Sequence, residues 1–141
     1  MSNTTNVFNW DKAKFTTLVD SMDHEHEGLI NLMNQLYREN EANAGKAQLM
    51  KTLQQLGAKT KDHFAHEEKF FSSLSNYRLT DPHKKIHQEL LNRFQEHAQN
   101  FIQGSATKLS DDFFTFLKVW LSAHICGVDR KYGEAAQTKS A

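Results

Sequence analysis

Apolar residues recur at intervals of three and four along most of the chain, in four stretches divided by polar breaks. Leu18, Met22, Leu29, Met33, Leu36 and Tyr37 predict a first helix over about 17–40. It is closed by the polar, Gly-ended run Asn40 to Gly45. A second helix, about 46–73, carries Leu49, Leu53, Leu56, Phe64 and Phe71. Gly57 lies inside it, where glycine costs up to ~1 kcal/mol relative to alanine; a close helix–helix approach accounts for it there. After a break from Ser72 to Pro82, a third helix over about 81–103 carries Ile86, Leu90, Leu91, Phe94 and Phe101. Asp81 as N-cap and Pro82 in the first turn mark its start. Ser110, Asp111 and Asp112 cap a fourth, about 110–131, whose face holds Phe113, Phe114, Phe116, Leu117, Trp120, Leu121 and Ile125. No stretch sustains the alternation of a strand. The expected fold is all-α, an antiparallel up-and-down four-helix bundle in a single domain spanning 1–141. Phe8, Trp10 and Phe15 have no helical period and predict an ordered N-terminal arm over 1–16, and the small polar residues of 132–141 predict a frayed tail.

Polar residues interrupt the apolar stripes at particular places. His26 follows Met22 by four, His63 follows Leu56 by seven, His87 precedes Phe94 by seven and His124 follows Leu117 by seven. Each stands where a core side chain belongs. His63 with Glu67, and His83 with His87, are four apart and so share a helix face. His26 is near the start of the first helix, His63 and Glu67 near the end of the second, His83 and His87 at the start of the third, and His124 and Asp129 at the end of the fourth. In an up-and-down bundle these ends lie together. Burying imidazoles and carboxylates without partners costs several kcal/mol per charge or shifts their pKa values until they are neutral, and a bound cation removes that cost. His124 and Asp129 are five apart, about 140° around an ideal helix. They reach one centre only if the helix loosens, which Gly127 permits and a π-type bulge would supply.

Five imidazoles and two carboxylates exceed the four ligands of one zinc. They suit two ions bridged by both carboxylates and a solvent oxygen. The histidines then divide three and two, one ion becomes six-coordinate, and the other keeps an open position for a small molecule. Mixed imidazole and carboxylate ligation suits iron. The other polar residues of this region have ordinary readings: His24, His66, Glu68 and Lys69 as solvated side chains, His97 as a distant surface or core residue, Asp23 as a first-turn carboxylate able to orient an imidazole, and Cys126 as a small buried thiol.

Composition narrows the function classes. Lys plus Arg and Asp plus Glu are both 17, which gives no basic stripe for nucleic acid or anionic membrane. One cysteine excludes an internal disulfide framework and suits a reducing cytoplasm. The polar first residues lack the apolar region of an export signal, and no apolar run approaches the roughly 20 residues of a membrane span.

The pattern Asp23-x-x-His26-x-x-Leu29, His63-Phe64-x-x-Glu67-Glu68, His83-x-x-x-His87 and Trp120-Leu121-x-x-His124-Ile125-x-x-x-Asp129 resembles the bacterial hemerythrins over roughly residues 8–133. The resemblance implies two non-haem iron ions with an oxo or hydroxo bridge. His83, His87 and His124 would hold the six-coordinate ion, His26 and His63 the five-coordinate one, with Glu67 and Asp129 bridging. It further implies reversible dioxygen binding at the open position, behind an apolar pocket of Leu29, Phe64, Trp120, Leu121 and Ile125. The expected role is oxygen storage, delivery or sensing by a cytoplasmic monomer rather than an enzyme. The alternative is a di-iron enzyme with oxidase, peroxidase or nitric-oxide chemistry. The Glu-x-x-His pairs of carboxylate-rich di-iron oxidases are absent from this chain. Asn76-Tyr77-Arg78-Leu79 lacks the proline that many relatives carry after the tyrosine, which leaves the shape of that loop open.

Overall fold

The computed structural model describes residues 16–120, 124 and 128–139. The expected arm residues Phe8, Trp10 and Phe15 lie outside the described residues, as do Leu121, Ile125, Cys126 and Gly127. The architecture is all-helical. Helix α1 spans Asp20–Glu41, α2 Lys46–Ser72, α3 Thr80–Gln103, α4 Asp111–Val119 and α5 Arg130–Lys139.

The chain enters α1 through a knot of short hydrogen bonds. Asp23 accepts from Thr16 Oγ1 at 2.6 Å, Thr17 N at 2.7 Å and Thr17 Oγ1 at 2.8 Å. Its carboxylate therefore ties down the incoming backbone and does not orient an imidazole. Leu18 sits just before the helix with φ 70 and is 36% exposed, so it is not part of the apolar stripe. Between α1 and α2 the chain turns through Asn43 at φ 54 and Gly45 at φ 100, left-handed conformations that these two residue types adopt most readily. Gly57 does mark a close approach: a Cβ there would stand 3.0 Å from Cε1 of Phe94 on α3.

Helix α3 begins one residue earlier than expected. Its N-cap is Leu79, with no side-chain cap, because the backbone bond from His83 N to Leu79 O (2.8 Å) closes the first turn ahead of Asp81. Ser110 caps α4, accepting from Phe113 N at 3.2 Å. The connection from α3 to α4 is pinned to the end of α1. Asn40 Oδ1 accepts from Leu109 N at 2.7 Å, and Asn40 Nδ2 donates to Leu109 O at 3.2 Å. The described residues between α4 and α5, namely Trp120, His124, Val128 and Asp129, are π-helical.

The expected tail is instead helix α5. Its face of Tyr132, Ala135 and Ala136 packs with Met22, Phe71, Leu74 and Tyr77 in a small apolar cluster. Tyr132 is fully buried. Asn76 Nδ2 donates to Ala135 O at 2.8 Å and holds α5 to the α2–α3 connection. A larger cluster, with Leu29, Met33, Leu36, Leu53, Leu56 and Leu117 among its members, fills the rest of the bundle. Among the described residues no helix is long and apolar enough to cross a membrane.

Gly133 lets α5 lie against the entry segment, because a Cβ there would fall 1.5 Å from the backbone oxygen of Thr17. Gly133→Ala is expected to push residues 16–19 off α5 and to destabilise the protein by about 1–3 kcal/mol, the range for overpacking. Urea denaturation checks this; an unchanged midpoint would refute the contact.

Candidate metal centre

Seven polar side chains meet between the two apolar clusters, and all are at most 3% exposed: His26, His63, Glu67, His83, His87, His124 and Asp129. They come from α1, α2, α3 and the π-helical segment. Two rings of the hydrophobic clusters flank them. Phe64 stacks on His87 at 3.9 Å between centroids, and Phe71 on His83 at 4.5 Å.

The donor atoms sort into two sets that share both carboxylates. Glu67, His83, His87, His124 and Asp129 place one donor atom each within 4.8 Å of the others, and so do His26, His63, Glu67 and Asp129. Each carboxylate sends one oxygen to each set. Glu67 Oε2 lies 3.3 Å from both His26 Nε2 and His63 Nε2, whereas Oε1 lies 3.2 Å from His87 Nε2. Asp129 Oδ2 lies 3.1 Å from His26 Nε2, whereas Oδ1 lies 2.8 Å from the Nε2 atoms of His83 and His124. The π-helical turn makes this possible. Its wider i→i+5 repeat brings Asp129 back onto the face of His124.

Several of these contacts are not hydrogen bonds. His26 Nε2, His63 Nε2, Glu67 Oε1 and Asp129 Oδ2 are buried with no hydrogen-bond partner among the described residues. His124 Nε2 stands 3.1 Å from His87 Nε2 and 3.4 Å from His83 Nε2. Two nitrogens at right angles on one ion, each about 2.1 Å from it, would be about 3.0 Å apart. Converging lone pairs and orphaned carboxylate oxygens are the donor arrangement a cation needs, so the residues fit a pair of metal ions.

The outer nitrogens of three rings are held from behind. With Nε2 facing inward, His63 Nδ1–H donates to Glu25 Oε1 at 2.6 Å, His87 Nδ1–H to Glu68 Oε2 at 2.9 Å and His83 Nδ1–H to Tyr77 Oη at 2.8 Å. Such partners fix the tautomer and make the inner nitrogen a better ligand. Tyr132 Oη donates to Glu67 Oε2 at 2.6 Å. Glu68 is therefore not simply solvated. His66 is exposed and donates through Nδ1 to Glu25 Oε2 at 3.0 Å. His97 lies apart, with its ring against Phe113 and Phe116.

Electrostatics follow from this crowding. Burial pushes His63 down, but the Glu67 charge and the hydrogen bond to Glu25 outweigh it and lift the imidazole to about 10. His26 is raised for the same kind of reason, with Asp129 and Glu67 outweighing its burial. His83 moves down, because burial and the neighbouring His87 and His124 outweigh Asp129. Burial raises Glu67, yet the histidines around it, His63 foremost, hold it well below the usual carboxylate range. Burial and the charges of Glu67 and Asp129 push the Tyr132 phenol upward, so it stays a donor.

Of the expected apolar pocket, Leu29, Phe64 and Trp120 are buried. Phe64 and Trp120 border a cavity of about 10 Å³ together with Met33, Leu56 and Thr60, room for about one water-sized molecule. Leu121 and Ile125 lie outside the described residues. Sequence reasoning missed Glu25, Tyr77 and Tyr132. The available signal was position: Glu25 adjoins His26, Tyr132 lies three beyond Asp129, and Tyr77 sits in the break before His83.

A family model described as the hemerythrin HHE cation binding domain matches residues 17–136. The chain is 30% identical over 125 residues to a myohemerythrin of Theromyzon tessulatum, covering 89% of this chain and 90% of that protein. It is 28% identical over 116 residues to a bacteriohemerythrin of Stenotrophomonas maltophilia (strain R551-3), covering 82% of this chain and 73% of that one. A crystal structure of wild-type hemerythrin superposes with a TM-score of 0.80 at 27% identity, covering 92% of this chain and 97% of the other.

In the metal-free protein at neutral pH, His63 carries a proton where an ion would bind. Its pKa is raised from 6.5 to about 10, so its stabilising pairing is complete below about 6.5 and fades as pH rises through about 10. Metal must displace that proton. Zinc titration at pH 7 in buffers of different ionisation heat should show at least one proton released per chain, with apparent affinity rising with pH. Zero proton release would refute the pairing.

Proposed function

The chain belongs to the hemerythrin family, and from that premise we propose that its seven buried side chains hold two non-haem iron ions at which dioxygen binds reversibly. His83, His87 and His124 serve one ion and His26 and His63 the other, with Glu67 and Asp129 between them. One observation carries the reading: each carboxylate divides its two oxygens between the two histidine sets. The sets offer five and four protein donors. With one solvent oxygen shared between two bound ions, the His26–His63 side would have one donor fewer than the other, which would leave it room for a small ligand.

A bound iron pair would supply two electrons to dioxygen and recover them on release. The protein's part is to make that exchange reversible. Glu25, Glu68 and Tyr77 lock three imidazoles with Nε2 inward. Nitrogen-rich ligation keeps the ferrous state accessible. Phe64, Phe71, Leu29 and Trp120 form dry walls that exclude water and competing anions from the oxidised site. The biological role is storage, delivery or sensing of oxygen, and the lone cysteine suits a cytoplasmic setting.

Protein purified without added metal should hold two irons per chain. Once reduced and exposed to air, it should develop a charge-transfer band that disappears under vacuum and returns with air. One ion per chain would refute the reading, and so would irreversible oxidation with turnover of an added reductant substrate, which marks an enzyme.

A further inference from the structure

Four carboxylate oxygens face the two donor sets, and they are not equivalent. Glu67 Oε2, on the His26–His63 side, accepts a 2.6 Å hydrogen bond from the phenol of Tyr132. Glu67 Oε1 and Asp129 Oδ2 have no hydrogen-bond partner among the described residues. Asp129 Oδ1 meets only imidazole nitrogens in the contacts described above.

The phenol is held firmly. Tyr132 is fully buried, its ring lies 5.9 Å from that of His83 at 23°, and it packs edge-on to Phe70 at 5.6 Å and to Tyr77 at 6.4 Å. Helix α5 cannot slide, because Gly133 sits against the Thr17 carbonyl. A phenol so fixed stabilises one rotamer of Glu67, in which Oε1 reaches the three-histidine set and Oε2 the two-histidine set.

Resting on the functional reading above, we propose that Tyr132 is a positioning residue of the centre: its hydrogen bond weakens Glu67 Oε2 as a donor to the ion on the His26–His63 side. A proton shared with a ligand oxygen draws charge from it. The ion on that side keeps more of its positive charge and gives up electrons less readily. Tyr132 thereby protects the pair against irreversible oxidation at the side with the open position.

The test compares wild type, Tyr132→Phe, and a chain carrying 3-fluorotyrosine at position 132, whose more acidic phenol donates more strongly. Iron per chain, midpoint potential and autoxidation rate in air are measured for each. Tyr132→Phe is expected to keep two irons, shift the potential downward and autoxidise about tenfold faster, at the lower end of what changes behind a metal ligand produce. The fluorotyrosine chain should shift both quantities the opposite way. Unchanged potential and rate in the two variants would overturn the inference, as would shifts of the same sign in both, which mark disturbed packing. If Tyr132→Phe loses iron, the fluorotyrosine chain decides alone: slower oxidation supports the inference, no change overturns it. A wild type without two irons or a reversible band overturns the functional reading itself, before any variant is compared.

Discussion

Two fully buried carboxylates face five buried imidazoles, and the rest of the structure is arranged around their charge. An isolated buried ion costs several kcal/mol even after relaxation. Protonating imidazoles relieves only part of the cost. His26 and His63 can each carry a proton against Glu67 and Asp129, but burial and the neighbouring His87 and His124 hold His83 down. A pair of cations would satisfy both sides at once. It would replace the protons on one side and give the three converging nitrogens a common partner on the other.

The surroundings of this charge are graded from inside to outside. Next to the ligands come rings without strong dipoles, Phe64 and Phe71, stacked on His87 and His83. Beyond them, anionic Glu25 and Glu68 meet the outer faces of His63 and His87 while remaining partly exposed. Where the partner itself is buried, it is neutral: Tyr77 for His83 and Tyr132 for Glu67. Charge is kept where water can solvate it, and phenols serve where it cannot. The same ordering explains the two apolar clusters, since helix α5 supplies the ring that closes the site opposite the main core.

Much of this was legible along the chain because imidazoles and carboxylates occupied core positions. His26, His63, His87 and His124 each stood in register with apolar residues, and that register reports burial directly. The π-helical turn was also foreshadowed, since a five-residue spacing with Gly127 between is unsuited to one face of an α-helix. Helix α5 was not legible. Its buried face is one tyrosine and two alanines, too little apolar mass to announce a helix, and its stability comes from docking on Phe71 and Tyr77. Glu25 and Glu68 were hidden for a different reason. Each is next to a ligand in sequence, which normally points a helical side chain away, and each serves a ring on the neighbouring helix instead. For Asp23, one turn before His26, the sequence left two readings open, and its carboxylate binds Thr16 and Thr17.

The inequality between the two donor sets has a source in the first helix. Helix α2 contributes a pair four apart, α3 another, and the π-helical segment a pair five apart. Both histidines of α3 and His124 serve one set, while the two carboxylates are shared. Helix α1 contributes His26 alone. Of the four positions one turn away, Met22, Leu29 and Ile30 are buried and apolar, and the fourth, Asp23, turns its carboxylate to Thr16 and Thr17. A carboxylate or imidazole turned inward at Met22, Leu29 or Ile30 would raise the smaller set to five donors, equal to the other. The apolar register of α1 thus does two things with the same residues: it packs the helix into the bundle, and it leaves the His26–His63 set one protein donor smaller than the other.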